Sequence, residues 1–224
     1  MSKLSPEAKK EKRNWFFLII GYFAGGYCLI NWINQFRTQY YDVSFAFEKD
    51  IPFIPAFIFG YILVYFSMLL LYFILDDADD FRRAVVAYLL NTTVHYIFFL
   101  AMPVKFILRP DLAAAAGFGV GVTKFYYIID MPYNCFPSLH VSYPTLAALV
   151  SWRHHRYASG SFIVMTIVIA ASVIFVKQHY IIDVVTGAIM AAILYSIVVA
   201  TEKWWRRFFR PLSVSRGSLQ CRSL

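Results

Sequence analysis

Phe53-Ile54-Pro55-Ala56-Phe57-Ile58-Phe59-Gly60-Tyr61-Ile62-Leu63-Val64-Tyr65-Phe66-Ser67-Met68-Leu69-Leu70-Leu71-Tyr72-Phe73-Ile74-Leu75 contains no Asp, Glu, Lys or Arg. A helix crossing a bilayer needs about 20 predominantly apolar residues, so this stretch reads as a membrane span. Working outward, Trp15–Trp32, Ala84–Met102, Ser161–Val176 and Tyr180–Ala200 read the same way. A sixth span, His140–Trp152, is short and contains Pro144, and the alternation of loop charge requires it. The composition agrees: 60% of the 224 residues are hydrophobic and 15% are charged, against roughly 25% charged in soluble domains. No polar segment is long enough for a separate domain. The expected fold is therefore all-α, a polytopic membrane protein with a six-transmembrane-helix bundle in one domain spanning 1–224.

The net charge of +8 is an asymmetry between loops rather than a nucleic-acid footprint. With six spans and a cytoplasmic amino terminus, the inside receives Met1–Asn14, Asp76–Arg83, Arg153–Gly160 and the tail from Thr201. These hold 15 of the 21 Lys and Arg residues, as the positive-inside rule requires. The acidic run Asp76, Asp77, Asp79 and Asp80 contributes little to that rule. Both termini are expected in the cytoplasm of a plasma or inner membrane, with 1–14 and 201–224 as basic flanks. Met1–Asn14 is basic and lacks a small-residue cleavage site, and the apolar run that follows is long enough that it is expected to stay as an anchor. Lys203-Trp204-Trp205-Arg206-Arg207-Phe208-Phe209-Arg210 reads as an interfacial anchor against anionic headgroups.

Two histidines stand apart. One closes Asn134-Cys135-Phe136-Pro137-Ser138-Leu139-His140; the other opens Lys177-Gln178-His179-Tyr180-Ile181-Ile182-Asp183. Ionisable residues at membrane-helix ends are costly to keep and mark function by default. His179 and Asp183, four residues apart, share a helix face. The carboxylate can then hold one imidazole nitrogen and leave the other as a nucleophile. His140 begins its helix after Pro137-Ser138, where backbone amides favour an anion. Ser138 is equally suited to capping that helix and to bonding a phosphate oxygen. A protonated His140 can serve as general acid and then as base. Arg109 offers a planar fork to phosphate, and Lys105 and Lys177 add positive charge. All of these fall on the external side of the expected topology. The set equips the chain for phosphoryl transfer without a metal or other cofactor.

The order Arg109-Pro110, then Pro137-Ser138-x-His140, then His179-x-x-x-Asp183 resembles the type 2 phosphatidic acid phosphatase superfamily. Its six-helix membrane members include lipid phosphatases and sphingolipid phosphotransferases. The resemblance implies that His179 forms a phosphohistidine, Asp183 orients it, His140 is the general acid, and Arg109 and Ser138 bind phosphate. Asn-x-Phe-Pro-Ser-Leu-His followed by Lys-Gln-His-Tyr is most similar to the branch of inositol phosphorylceramide synthases and related bacterial lipid phosphatases. Three positions depart from the superfamily pattern. Met102 stands where the first motif has lysine, Ser172-Val173 where the third has Ser-Arg, and Leu139 where the second has glycine. Lys105 and Lys177 are the nearest replacement cations.

Remaining features have plainer readings. Cys28, Cys135 and Cys221 show no metal-ligand spacing and no disulfide framework, and Cys135 reads as a small loop residue. Asn91, Thr92, Thr93 and His95 read as helix–helix hydrogen bonding. Gly117-Phe118-Gly119-Val120-Gly121 follows no strand, which excludes a nucleotide loop, and reads as loop flexibility. The expected activity is a lipid phosphate phosphatase acting on a membrane substrate, with no nucleic-acid partner. A phosphotransferase of the inositol phosphorylceramide synthase type and a non-catalytic lipid-phosphate carrier both stay open.

Overall fold

The computed structural model describes residues 6–209. Its long helices are α1 (Pro6–Asn34), α2 (Ile58–Ile74), α3 (Ala78–Ala101), α6 (Arg156–Phe175) and α7 (Ile181–Ala200). All five, with a short 3₁₀ turn leading into α2, are long and apolar enough to cross a membrane. Between them lie α4 (Phe118–Ile129) and α5 (Leu139–Ser151), and the one-turn α8 (Glu202–Trp205) follows α7. All six expected segments are helical, with shifted bounds, and five of them are long and apolar enough to span a membrane; the sixth, at His140–Trp152, is a shorter helix outside those five. Apolar runs predict the middle of a span, whereas caps and polar turns set its ends. α1 thus begins at Pro6, so its first turns carry Lys9, Lys10, Lys12 and Arg13. α3 begins at Ala78 because Asp77 accepts from the amides of Asp79 and Asp80, an N-cap that an apolar count overlooks.

α5 is the centre of the bundle. It packs against α6, α7, α2 and α3, and nearly all of its residues are buried. Its seam with α3 is polar: Asn91 Nδ2 donates to Ser142 Oγ at 2.8 Å, and Tyr88 Oη donates to the Tyr143 carbonyl at 2.9 Å. These bonds, with Thr92 Oγ1 against Tyr143 Oη at 2.6 Å, account for the hydrophilic residues of α3. His95 bonds the Asn91 carbonyl one turn back.

The starts of α5 and α7 define an upper end of the bundle, and their finishes a lower end. The thirteen residues of α5 rise about 20 Å, well short of a 30 Å bilayer core. The helix is short because it starts deep. The Ser138 amide donates to the Asp183 carbonyl at 3.0 Å, and the Ser138 carbonyl lies where a Cβ on Gly187 would meet it at 2.4 Å. Gly187 is six residues into α7, roughly 9 Å below its start. Only glycine admits that approach, and it sinks His140 below the upper rim.

The glycines near 117 form no flexible loop. Gly117, at φ 121°, caps α4, and the ideal Cβ of Gly119 would press on the Pro55 carbonyl at 3.1 Å. At the lower end, Trp205 is buried with its Nε1 donating to the Val198 carbonyl at 2.8 Å, while Trp204 and Phe208 face outward. Two of the segment's four aromatic side chains, Trp205 and Phe209, are thus packed onto the bundle. Arg210 and Cys221 lie outside the described residues.

Candidate active site

His140 Nδ1 and His179 Nε2 stand 3.1 Å apart at the upper end. Elements distant in sequence put them there: α5 delivers His140 in its first turn, and the α6–α7 turn delivers His179. That turn is fixed by the Gln178 and His179 amides, which both donate to the Val173 carbonyl. His179 Nδ1 lies 3.3 Å from Asp183 Oδ2, which also accepts from the Tyr180 amide at 2.9 Å. On the other side, His140 Nε2 lies 3.4 Å from Asp130 Oδ2. The Asp130 carboxylate additionally accepts from the hydroxyls of Tyr27 and Tyr61. The result is a buried row, Asp183–His179–His140–Asp130, with a carboxylate at each end.

Arg109 flanks the row. Its Nη2 donates to the Asp130 carbonyl at 2.6 Å and to Gln178 Oε1, its Nη1 to the Tyr127 carbonyl at 3.3 Å, and it stacks on the Tyr127 ring at 4.2 Å. Three buried donors have no partner: Arg109 Nε, Gln178 Nε2 and Ser138 Oγ. Asp183 Oδ1 is likewise unpartnered. Buried polar groups are nearly always satisfied, so such a set suits a ligand carrying several acceptor oxygens. Ser138 makes no side-chain cap bond to α5, so the capping role open in the sequence is not taken.

The two lysines do not join this group. Lys177, at φ 56°, donates from Nζ to the Glu48 carbonyl at 3.0 Å. Burial lowers its pKa, with Glu48 and Asp50 opposing. Lys105 Nζ lies over the rings of Tyr133 and Tyr40, at 5.3 and 5.6 Å. Cys135 is buried with its thiol toward the Pro132 carbonyl. Burial first, then the Asp183 charge, push that thiol well above its ordinary pKa, the opposite of what a nucleophile needs.

Sequence reasoning missed Asp130, Tyr27, Tyr61, Gln178 and Glu48. Glu48 accepts from the Ile181 amide at 2.6 Å and ties the α1–α2 loop to the start of α7. Asp130 carried a legible signal. It is a lone carboxylate closing an apolar helix, the same kind of position that drew attention to Asp183, and it was hidden by reading α4 as loop. The tyrosines carried none, since their hydroxyls look like any others in aromatic-rich spans.

This combination of buried imidazoles, carboxylates and unpartnered donors in a helical membrane bundle defines a phosphoryl-transfer class of site. The profile of the PAP2 superfamily matches residues 48–197, and the chain belongs to that superfamily of phosphatases and phosphotransferases. The matched stretch holds Arg109, Ser138, His140, His179 and Asp183. No curated protein matches the chain. Among the described residues, no group of three or more His, Cys, Asp or Glu side chains is arranged to hold a metal ion.

Proposed function

We propose that the protein is an integral membrane lipid phosphate phosphatase working through a phosphohistidine on His179. The observation that best supports this reading is the row Asp183–His179–His140–Asp130 beside three unpartnered donors. An ionised Asp183 can only accept, so His179 Nδ1 carries a proton and Nε2 keeps its lone pair. The hydrogen between the rings then belongs to His140 Nδ1, while His140 Nε2 faces the Asp130 carboxylate. When protonated at both nitrogens, His140 is placed to act as acid.

In the first half-reaction Nε2 attacks phosphorus. The N–P bond forms as the P–O bond to the lipid breaks, and His140 gives its proton to the leaving oxygen. In the second, water attacks phosphorus, His140 takes its proton, and the P–N bond breaks to release phosphate. Charge on the equatorial oxygens falls to Arg109, Ser138 and Gln178. A phosphorus at attack distance, about 3–3.5 Å from Nε2, does not fit between nitrogens 3.1 Å apart. Substrate therefore parts the two rings as it binds.

The loop charges support a site on the extracytoplasmic face, with α5 as the sixth crossing despite its length. Purified protein incubated with a panel of lipid phosphates, with and without alcohol acceptors, tests the reaction. Free phosphate and product lipids are both followed. Phosphate release, with an acid-labile phosphoprotein lost in His179→Ala, is the expected result. Transfer to alcohol without free phosphate would replace phosphatase by phosphotransferase, and failure to process any lipid phosphate would remove both. Reactivity of Lys124→Cys with an impermeant reagent in intact cells tests the sidedness.

A further inference from the structure

We infer that the wedge between α1 and α2 holds one hydrocarbon chain of the substrate lipid, so that the lipid alcohol reaches His140 from this side. The inference rests on the reaction proposed above and adds where the lipid lies. A cavity of about 540 Å³ separates the two helices, walled by Phe23 and Ala24 of α1 and by Val64 and Met68 of α2. It ends on His140 and Asp130, and its lining is otherwise almost entirely apolar.

The wedge follows from what each helix leans on. α1 is drawn toward α3, where Gly26 lets the Tyr96 ring lie against its backbone; an ideal Cβ there would come within 2.4 Å of that ring. Tyr96 Oη then donates to the Phe23 carbonyl at 2.5 Å. α2 is drawn toward α6, where a Cβ on Gly60 would come within 2.2 Å of Ser172 Oγ. Two glycines thus pull the helices to opposite sides. They meet again low down, where the Phe16 and Tyr72 rings make a tilted contact at 4.5 Å and Lys12 Nζ donates to the Leu75 carbonyl. From Phe16 to Tyr27 the shaft is roughly 16 Å deep, the scale of an extended alkyl chain. Its rim residues Tyr65 and Leu69 are more than two-fifths exposed, so a chain can pass sideways from the surrounding lipid.

The polar end decides which part of the lipid lies here. The cavity touches His140 on its Asp130 side, and His179 lies beyond the ring. A lipid in the shaft therefore presents its bridging oxygen to His140 and its phosphorus to His179, the order that protonation of the leaving oxygen requires. A chain leaving the bilayer gains no hydrophobic energy, since lipid tails are as apolar as the shaft. Its contribution is placement, holding the phosphate in register with the rings. α1 lies outside the residues matched by the superfamily profile, so this wall is a feature of the chain's own amino-terminal helix.

Ala24→Trp and Cys28→Trp, in the purified full chain in detergent, fill the shaft without touching the histidine row. Hexadecyl phosphate and butyl phosphate are the paired substrates. The expected result is a fall of about tenfold or more in kcat/KM for hexadecyl phosphate, with butyl phosphate turned over as in the unsubstituted protein. Equal losses on both substrates, or none on either, would overturn the proposal. Cys28, exposed at the cavity, gives a second readout that needs neither turnover nor a bulky substitution. In a Cys221→Ser background, hexadecyl phosphate at tenfold its half-saturating concentration should slow alkylation of Cys28 about tenfold, and butyl phosphate should not. Unprotected Cys28 overturns the shaft assignment even where turnover is normal. Protection without turnover of either phosphate keeps the shaft and removes the proposed reaction.

Discussion

At the upper end of the bundle, His140 and His179 stand between Asp130 and Asp183. At the lower end, Asp80 is held by Arg83 at 2.6 Å and by His154, and Arg83 reaches Glu202 at 2.9 Å. Both ends bury carboxylates against basic side chains, and both join three or more elements. They differ in completeness. Below, Asp80 has a basic side chain at each carboxylate oxygen, and Arg83 Nε is the one atom of Asp80, Arg83, His154 and Glu202 that is buried without a partner. Above, Arg109 Nε, Gln178 Nε2, Ser138 Oγ and Asp183 Oδ1 all lack one. An unpartnered buried donor costs about 1–3 kcal/mol, so the upper cluster carries a stability penalty that the Asp80–Arg83 cluster largely avoids, while Ser151 Oγ and His155 Nε2 beside it also lack a hydrogen-bond partner. The lower cluster reads as a clamp joining α3, the α5–α6 turn and α8. The upper one carries the unpartnered donors on which the proposed phosphoryl chemistry rests.

Exchanging the two ends in mutagenesis breaks or sharpens this contrast, and the largest expected effect is on turnover. His179→Ala and His140→Ala should each lower kcat by about 10³-fold or more while leaving the thermal unfolding midpoint close to that of the unsubstituted protein. Asp80→Asn should do the reverse. It strips a charge from a buried pair and should cost about 3–5 kcal/mol of stability, with kcat per folded molecule unchanged. Active histidine variants, or an Asp80→Asn that loses kcat while folded, would erase the distinction.

Next comes a change in which stability and activity move in opposite directions. Ser138 Oγ is buried without a partner, so Ser138→Ala removes a desolvated hydroxyl. The unliganded protein should be as stable or more stable by about 1 kcal/mol, and kcat/KM should fall roughly ten- to hundredfold. Gln178→Ala should lower kcat/KM in the same way but cost stability, because its Oε1 accepts from Arg109 Nη2. A loss of stability in Ser138→Ala would mean that its hydroxyl serves the fold rather than a ligand. Turnover should also persist in excess chelator, and loss restored by a divalent ion would count against the whole scheme.

The contrast also separates what was legible in the chain from what was not. The spans were legible because a bilayer core demands continuous apolar sequence, and α2 supplies it without a charge. His140, His179 and Asp183 were legible because ionisable groups at apolar helix ends are conspicuous. Span ends were less so, since α3 starts through the Asp77 cap and α1 carries lysines into its first turns. The depth of α5 was hidden, because it depends on Gly187 meeting the Ser138 carbonyl, a contact between residues 49 positions apart. The cavity was hidden for the same reason, being a product of how α1, α2, α4 and α5 pack, whereas Asp130 was legible as a lone carboxylate closing an apolar helix and was overlooked with α4. Charge alone misled about Lys177, because its direction is set by a left-handed backbone that the sequence does not announce.

Lys177 supplies the smallest expected effect. It adjoins Gln178 and His179 in sequence, yet its ammonium is bonded to the Glu48 carbonyl, on the loop that clamps α7 rather than among the unpartnered donors. Lys177→Met keeps the length of the side chain and removes the charge. Turnover should stay within about threefold of the unsubstituted protein, the scale of lost long-range charge rather than of a lost phosphate contact. The pH dependence of stability carries the sign of its burial. The folded state holds the Lys177 proton less tightly than the unfolded chain does, because burial lowers its pKa from 10.5. The unfolded chain therefore binds more protons in the alkaline range below 10.5, and stability rises with pH there. Comparing unfolding midpoints of the two proteins across that range should show the unsubstituted protein gaining on Lys177→Met as the pH increases. A drop in turnover of a hundredfold in Lys177→Met would instead place this ammonium on the phosphate. It would then require the loop at Glu48 to release it during the reaction.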